Sequence, residues 1–408
     1  MKPVTAIVLG AGSRGSIYAG YSKEHPEQLQ IIAIAEPRRD RLEQLADAVG
    51  VPGERRFDSW EALLAQPKMA DCAFVCTMDD DHTAPAMKAM ELGYHLLLEK
   101  PMSNKENECR LIAETARKTG RTLAVCHVLR YTPFYMTLKA LIDRGEVGQV
   151  TTINQIENVG YWHQAHSFVR GNWRSTKETS PMILQKSCHD IDIILWLMQS
   201  PCTQVQSFGS LRYFTPENAP VGAAKRCLDC PHAESCPYSA PKLYLDMERT
   251  GWPVDVITTD LSFEGRHKAL EDGPYGRCVY YCDNDVVDRQ VVNMEFENGG
   301  VATFTMTGLS ADFSRQLKIF GTEGQIQADM GKNEIVLHRF GEDPKSIPLD
   351  MGLEASGHGG GDYGIMADFL RILQEGGESR TSAEVSLQSH LICFAAERSR
   401  KEKTVVAL

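Results

Sequence analysis

No apolar run in this chain is long enough to cross a bilayer, and its first residues enter a strand without a charged, apolar and small-residue leader. Neither a membrane span nor a cleaved signal is expected, and the protein is expected in the cytoplasm. Positive charge is in deficit: 43 Lys and Arg stand against 54 Asp and Glu, a formal net charge of −11. That balance argues against nucleic acid or an anionic membrane as the main partner, while leaving room for a local basic patch around an anionic substrate. Internal repeats and low-complexity tracts are missing as well. What remains is ordinary globular composition, 42% apolar and 24% charged over 408 residues, enough for two domains and a large core.

Cysteine is not scarce. The chain has 12, expected as reduced thiols in a cytoplasmic protein. Cys72, Cys76, Cys109, Cys126, Cys188, Cys202 and Cys393 stand in apolar surroundings and read as small core residues.

The N-terminus carries the clearest signal. Val4 to Leu9 is an apolar, β-branched run that empties into Gly10-Ala11-Gly12-Ser13-Arg14-Gly15, and helix-compatible residues follow from Ser16 to Lys23. In this spacing Gly10 allows the tight turn, Gly12 lets backbone approach a pyrophosphate, and Gly15 lets helix and strand pack closely. The helix start offers free N–H groups and a positive dipole end to phosphates. Ile31 to Ala35 reads as the next strand and ends at Glu36, where an acid would hold the ribose hydroxyls of NAD. Glu36 would repel a 2′-phosphate, so NAD is favoured over NADP, with Arg38 and Arg39 close enough to argue the other way.

Strands and helices keep alternating. Helices are expected over Arg41 to Val49, Trp60 to Ala65, His82 to Leu92 and Lys105 to Thr119, and strands over Asp71 to Cys76, His95 to Leu98 and Thr122 to Cys126. This is the pattern of a doubly wound parallel sheet, whose ligands bind at the carboxyl ends of its strands. Beyond about residue 130 strands follow one another at Val150 to Ile156, Val205 to Leu211, Val291 to Phe296, Val301 to Thr307, Arg315 to Phe320, Gln325 to Asp329 and Glu334 to His338. They predict an open, mostly antiparallel sheet, covered by helices at Phe134 to Arg144, Ile183 to Met198, Tyr363 to Gly376 and Ala383 to Arg400. The expected architecture is α/β: a Rossmann dinucleotide-binding domain over 1–128, then an α+β substrate-binding and oligomerisation domain over 129–408.

Several local sequences resemble the Gfo/Idh/MocA oxidoreductases, the glucose–fructose oxidoreductase and inositol dehydrogenase family. They are the glycine turn, Cys76-Thr77-Met78-Asp79 with His82, and Gly93 to Leu98 followed by Glu99-Lys100-Pro101. Gly171-Asn172-Trp173-Arg174, His189-Asp190-Ile191-Asp192 and Ile319 to Gly324 continue the match, so that it spans nearly the whole chain. The resemblance implies an NAD(P)-dependent enzyme acting on a sugar, cyclitol or related polyol, and a second-domain sheet that often makes oligomer contacts. A homo-oligomer, dimer or tetramer, is therefore expected.

The same resemblance implies site residues. Lys100 is expected to hydrogen-bond the reacting hydroxyl and stabilise developing negative charge, and His189 to be its acid–base partner. Thr77, Asp79, His82, Glu99, Trp173 and Arg174 are expected around the cofactor with Ser13 and Arg14 of the glycine turn. One departure stands out. The family's acid four residues before the histidine is Gln185 here, and Lys186 follows it. Lys186 either faces the pocket and favours an anionic or carbonyl-bearing substrate, or stands outward in solvent. His127, Arg130 and Tyr131, just past the last parallel strand, read either as pocket lining or as structure. His358 sits before a run of three glycines and Asp362, and reads as a closing residue or as linker.

The stretch from about 214 to 285 is irregular and holds Cys227, Cys230, Cys236, Cys278 and Cys282. The spacing of the first pair is that of metal ligands, and a structural Zn2+ held by Cys227, Cys230, Cys236 and Cys278 or Cys282 is expected to order a segment with little core of its own. Three functions stay open. The first is hydride transfer between a ring hydroxyl of a sugar, glycoside or cyclitol and nicotinamide. The second is an NAD-dependent glycosidase that oxidises transiently and makes no net NADH, and the third a non-enzymatic NAD-binding regulator.

Overall fold

Six short strands lie side by side in parallel: β1 (Val4–Leu9), β2 (Leu29–Ala35), β3 (Arg56–Phe57), β4 (Cys72–Val75), β5 (His95–Leu98) and β6 (Leu123–Val125), in the order β3-β2-β1-β4-β5-β6. This computed structural model describes residues 2–349 and 358–408. The strand order reverses between β1 and β4, which puts the ligand crevice at the carboxyl ends of those strands. Both faces of the sheet are covered, and β4 is buried along its whole length, which explains why it reads as a continuous apolar run.

The second sheet has nine strands: β7 (Val150–Asn158), β8 (Cys202–Ser210), β9 (Arg289–Phe296), β10 (Val301–Thr307), β11 (Ser314–Gly321), β12 (Gly324–Asp329), β13 (Glu334–Arg339), β14 (Lys345–Ser346) and β15 (Val406–Ala407). Their order is β14-β13-β12-β11-β7-β10-β9-β8-β15. Only the β7–β10 pair is parallel, so the expected antiparallel character holds elsewhere. One face is buried under the helices Cys188–Met198 and Ala383–Glu402, where Ile153, Phe304 and Ile319 meet Ile191 and Ile194. The other keeps Ile156, Phe208 and Val301 exposed.

The last helices return to the first domain. Ile365, Met366, Phe369 and Leu370 of the helix Gly361–Glu375 share one core with Val8, Tyr18 and Phe74. Val125 N–H donates to Thr381 O at 2.8 Å, just before the helix Ala383–Glu402.

Two expectations about helices and cysteines need correction. The helix expected over Ile183 to Met198 is two helices, Met182–Gln185 and Cys188–Met198, broken at Lys186 and Ser187. The break lets the Ser187 hydroxyl donate to Glu157 at 2.8 Å and brings Lys186 Nζ to 3.6 Å from the same carboxylate. Cys76 and Cys202 are half-buried, whereas the other five cysteines assigned to the core are buried.

The irregular stretch also has a core. It contains the helices Ala240–Tyr244, Val254–Ile257 and Phe263–Asp272, with Tyr244, Leu270 and Tyr275 packed together and Phe214, Tyr238 and Tyr280 packed beside them. Among the described residues no group of three or more His, Cys, Asp or Glu is placed to hold a metal ion, and Cys227, Cys230, Cys236, Cys278 and Cys282 are free thiols. The expected structural zinc is therefore not supported. Order comes instead from aromatic packing and from Arg170, whose guanidinium donates to Arg277 O at 2.7 Å and Tyr238 O at 2.6 Å and touches Cys227 Sγ at 3.5 Å.

Candidate active site

The glycine turn is built as its spacing requires. Gly10 has φ +99°, and a Cβ there would lie 2.5 Å from Cys76 O; a Cβ on Gly15 would lie 2.0 Å from Gly10 O. Gly12 is different, since a Cβ there would have only Arg41 Nη1, 3.8 Å away, as a neighbour. The outer side of the turn is thus open to a ligand, next to the start of the helix Ser13–Glu24. Glu36, buried at the end of β2, accepts from Ala11 N–H at 2.8 Å and from Arg38 N–H at 3.0 Å, which fixes its carboxylate at the turn. An open cradle beside a fixed carboxylate fits a dinucleotide.

Arg14 turns away from this cradle. Its Nε donates to Glu99 at 2.8 Å and its Nη2 to Asp362 at 2.6 Å, tying β5 to the start of the helix Gly361–Glu375. Burial pushes the Glu99 carboxyl up, but Arg14 and Lys100 outweigh it and hold it below the usual range. Asp362 also contacts His358 Nδ1 at 3.1 Å.

At the end of β4, Thr77 donates to Asp81 O, and the His82 ring lies between two carbonyls, Pro101 O at 2.7 Å and Thr77 O at 3.1 Å. Asp79 is buried and accepts from Ser180 Oγ at 2.9 Å and Trp173 Nε1 at 3.4 Å. Burial raises its carboxyl against the opposing pull of His82 and Lys100. Trp173 therefore reaches the cofactor domain through Asp79, whereas Arg174 is turned to Asp283 at 2.9 Å.

Lys100 lies at the end of β5, and its peptide bond to Pro101 is cis. Its Nζ donates to the Gln185 backbone carbonyl at 2.7 Å, across the crevice and at the break between the two helices. His189, in the first turn of the second helix, is 5% exposed, and its Nδ1 has no partner. Burial first and Lys100 next hold its pKa well below the ordinary value, so the imidazole is neutral near pH 7. Its ring lies 5.6 Å from His127 and 6.3 Å from His358. The structure thus brings Lys100, His189, His127 and His358 together.

It does not bring Arg130 and Tyr131 to them. Arg130 forms a two-pronged, buried ion pair with Asp192 at 2.6 and 2.8 Å, and Tyr131 is core, its hydroxyl 3.4 Å from Thr381. Both are structural. Lys186 is neither free in the pocket nor solvated. It pairs with Glu157, and its Nζ lies 5.2 Å from the Phe313 ring, while burial lowers its pKa to about 8 against the pull of Glu157.

Beneath it sits a buried charge network that the sequence reading missed. Arg315 donates to Glu157 at 2.7 Å and to Asp190 at 2.8 Å, and Gln155 Nε2 donates to Asp190 at 2.6 Å. Burial pushes the Asp190 carboxyl up. The signal was present in the alternation: Gln155 and Glu157 share the inward parity of Ile153 on β7, and Arg315 that of Leu317 and Ile319 on β11. Polar residues at inward positions mark a buried network.

Known proteins resemble the chain end to end. Residues 4–127 match the family described as oxidoreductase family, NAD-binding Rossmann fold, and residues 139–408 match its C-terminal alpha/beta domain. The putative oxidoreductase YteT of Bacillus subtilis is 22% identical over 353 residues, 82% of this chain and 80% of its own length. The scyllo-inositol 2-dehydrogenase (NAD(+)) of Bacillus subtilis is 25% identical over 51% of this chain and 58% of its own. Among solved structures, a levoglucosan dehydrogenase in complex with NADH and L-sorbose has the same fold, with a TM-score of 0.74 at 17% identity, covering 100% of this chain and 99% of that one.

Proposed function

The chain belongs to the Gfo/Idh/MocA oxidoreductases, an NAD-binding family, and from that premise we propose that it moves hydride between nicotinamide and a ring hydroxyl of a sugar, glycoside or cyclitol. One observation carries the reading. Lys100 reaches across the crevice to the Gln185 carbonyl, beside a buried, neutral His189. A cation and a base thus flank the place where the two domains meet. The names of the inositol and levoglucosan dehydrogenases support a polyol as the substrate class.

Bound NAD would supply the hydride acceptor, with Gly10, Gly12 and Gly15 at its pyrophosphate and Glu36 at its ribose hydroxyls. Glu36 supports NAD over NADP. For this chain's own groups the chemistry is acid–base. His189 accepts the proton of the reacting hydroxyl, and Lys100, which has three donors and uses one on Gln185, turns another on the substrate oxygen as its negative charge grows. The buried Asp79 and Glu99 carboxyls feel the Lys100 charge, and Glu99 also accepts from the Lys100 backbone N–H at 3.0 Å. Lys186 stands one residue from Gln185 with its ammonium turned to Glu157, so its charge acts on the site from behind the helix break. His127 packs against the far side of His189, and His358, paired with Asp362, closes the outer side.

The test is a set of sugars, glycosides and cyclitols incubated with the protein and NAD, followed at the absorbance of reduced nicotinamide. Steady NADH formation with one of them supports hydride transfer. Release of free sugar with no NADH would replace it by the transient-oxidation glycosidase, and no reaction across the set would argue against both.

A further inference from the structure

We propose that a pocket in the second domain, apart from the nucleotide crevice, binds the anionic unit of a carbohydrate, a phosphate or carboxylate carried on a sugar ring. The pocket has a volume of about 430 Å3 and is walled by Tyr161, Trp162 and Tyr238, with Arg170 and Ser239 at its buried side and Lys242 and Arg249 at its exposed side. That size suits a single substituted ring. Three cations and no acid line it, in a chain whose formal net charge is −11.

The buried side is the decisive part. Arg170 is 1% exposed and has used Nε and Nη2 on the carbonyls of Arg277 and Tyr238, yet its Nη1 has no partner. The Ser239 hydroxyl is buried and unpartnered too. Buried donors are almost always satisfied, so two in the wall of one pocket point to an acceptor-rich ligand, and a guanidinium suits carboxylate and phosphate alike. Lys242 forms no ion pair among the described residues, and Arg249 pairs only with Asp246, at 3.2 Å and in solvent. Both charges are available to an anion. The aromatic walls supply what the cations lack, flat faces for the C–H side of a sugar.

Aromatic rings run from the pocket toward Lys186, beside the redox site. The Trp162 ring stacks on His163 at 5.7 Å and lies 6.3 Å from Phe313, the ring faced by Lys186. A substrate of more than one ring would span both. The proposal therefore rests on the hydride-transfer reading and deepens it, naming an acidic saccharide as the substrate class.

Calorimetric titration of the NAD-loaded protein with glucose 6-phosphate, glucuronate, glucose and inorganic phosphate tests it. At least one of the two acidic sugars should bind at least ~10-fold more tightly than glucose and than inorganic phosphate, and the tighter acid identifies the group. Ser239→Ala and the double variant Lys242→Ala/Arg249→Ala should each weaken that binding at least ~10-fold. Melting temperature and NAD affinity should not move, because the Ser239 hydroxyl has no bond to lose. Glucose or bare phosphate binding as tightly as the acids, variants binding as the parent does, or no binding of either acid would overturn the proposal. Since binding is read without turnover, failure here leaves hydride transfer standing, and an inactive enzyme that still binds the acid leaves the pocket standing.

Discussion

The Lys100 ammonium donates to the backbone carbonyl of Gln185 at 2.7 Å, joining the end of a parallel strand to a helix break in the other domain. Because the acceptor is main chain, the contact does not depend on which side chain stands at 185. The family's acid is missing there, and the lysine is held all the same.

That contact sets the first expectation. Lys100→Ala and His189→Ala should each lower turnover by at least ~100-fold, the usual scale for removing a positioned acid–base group, with nucleotide affinity little changed. Gln185→Ala should cost far less, since its carbonyl stays. Steady-state kinetics on the substrate found in the screen, with nucleotide titration as a control, decide this. Near-normal turnover in the His189 variant would move the proton-accepting role to His127 or His358.

Glu36 should set the choice of nucleotide. Fixed by Ala11 and Arg38 N–H groups, its carboxylate should make NAD bind at least ~10-fold more tightly than NADP, and Glu36→Ala should narrow that ratio. Titration of both nucleotides on both proteins is the measurement. Equal affinities in the parent would pass the role to Arg38 and Arg39.

Acid should unfold this protein early. His127, His163, His166, His189 and His390 are all buried, and burial lowers every one of them below the ordinary histidine value, His166 and His390 to about 3. Below pH 6.5 the unfolded chain takes up protons that the folded chain refuses, so stability is fully present above 6.5 and falls as pH drops. Each histidine withdraws up to about 1.4 kcal/mol per pH unit until its folded-state pKa is reached. Denaturant midpoints should therefore fall steeply from pH 6.5 to 4.5, and a flat profile would contradict the burial of these rings.

The Arg130–Asp192 pair should matter for stability and not for chemistry. Asp192→Asn leaves a buried guanidinium without its counter-charge, an expected cost of about 3–5 kcal/mol. Urea unfolding should show it, with NAD affinity retained in the folded fraction. A loss below about 1 kcal/mol would mean that Arg130 finds another partner, with the Arg380 carbonyl already at 3.1 Å.

The sequence was most legible where chemistry is local. The glycine turn, Glu36 and the parallel strands could be read because a strained φ, a cradle and a continuous apolar run each leave a mark on a few neighbouring residues. Lys100 and His189 needed the family resemblance, for nothing local says that residues 89 positions apart in the chain meet. The break at Lys186 and Ser187 could not be read from periodicity, since both flanking segments are helical; it follows from Glu157, which lies on a distant strand. The zinc expectation treated cysteine spacing as evidence of ligation, while the aromatic residues around it already supplied a core. Arg130 and Tyr131 sit beside His127 in sequence and point elsewhere, the ordinary result of a short helical turn that spreads its side chains around.

The helix Gly361–Glu375 fills the core of a domain whose other strands and helices lie in the first third of the chain. Four of its apolar side chains, none more than 2% exposed, close the face over Val8, Tyr18 and Phe74. On the ribosome, the nucleotide-binding domain is therefore begun before the second domain and completed only after most of that domain has been made. Its sheet can form early, but that face stays bare until the helix Gly361–Glu375 has been synthesised. A chain released before Gly361 would be left with an open apolar face and a strong tendency to aggregate.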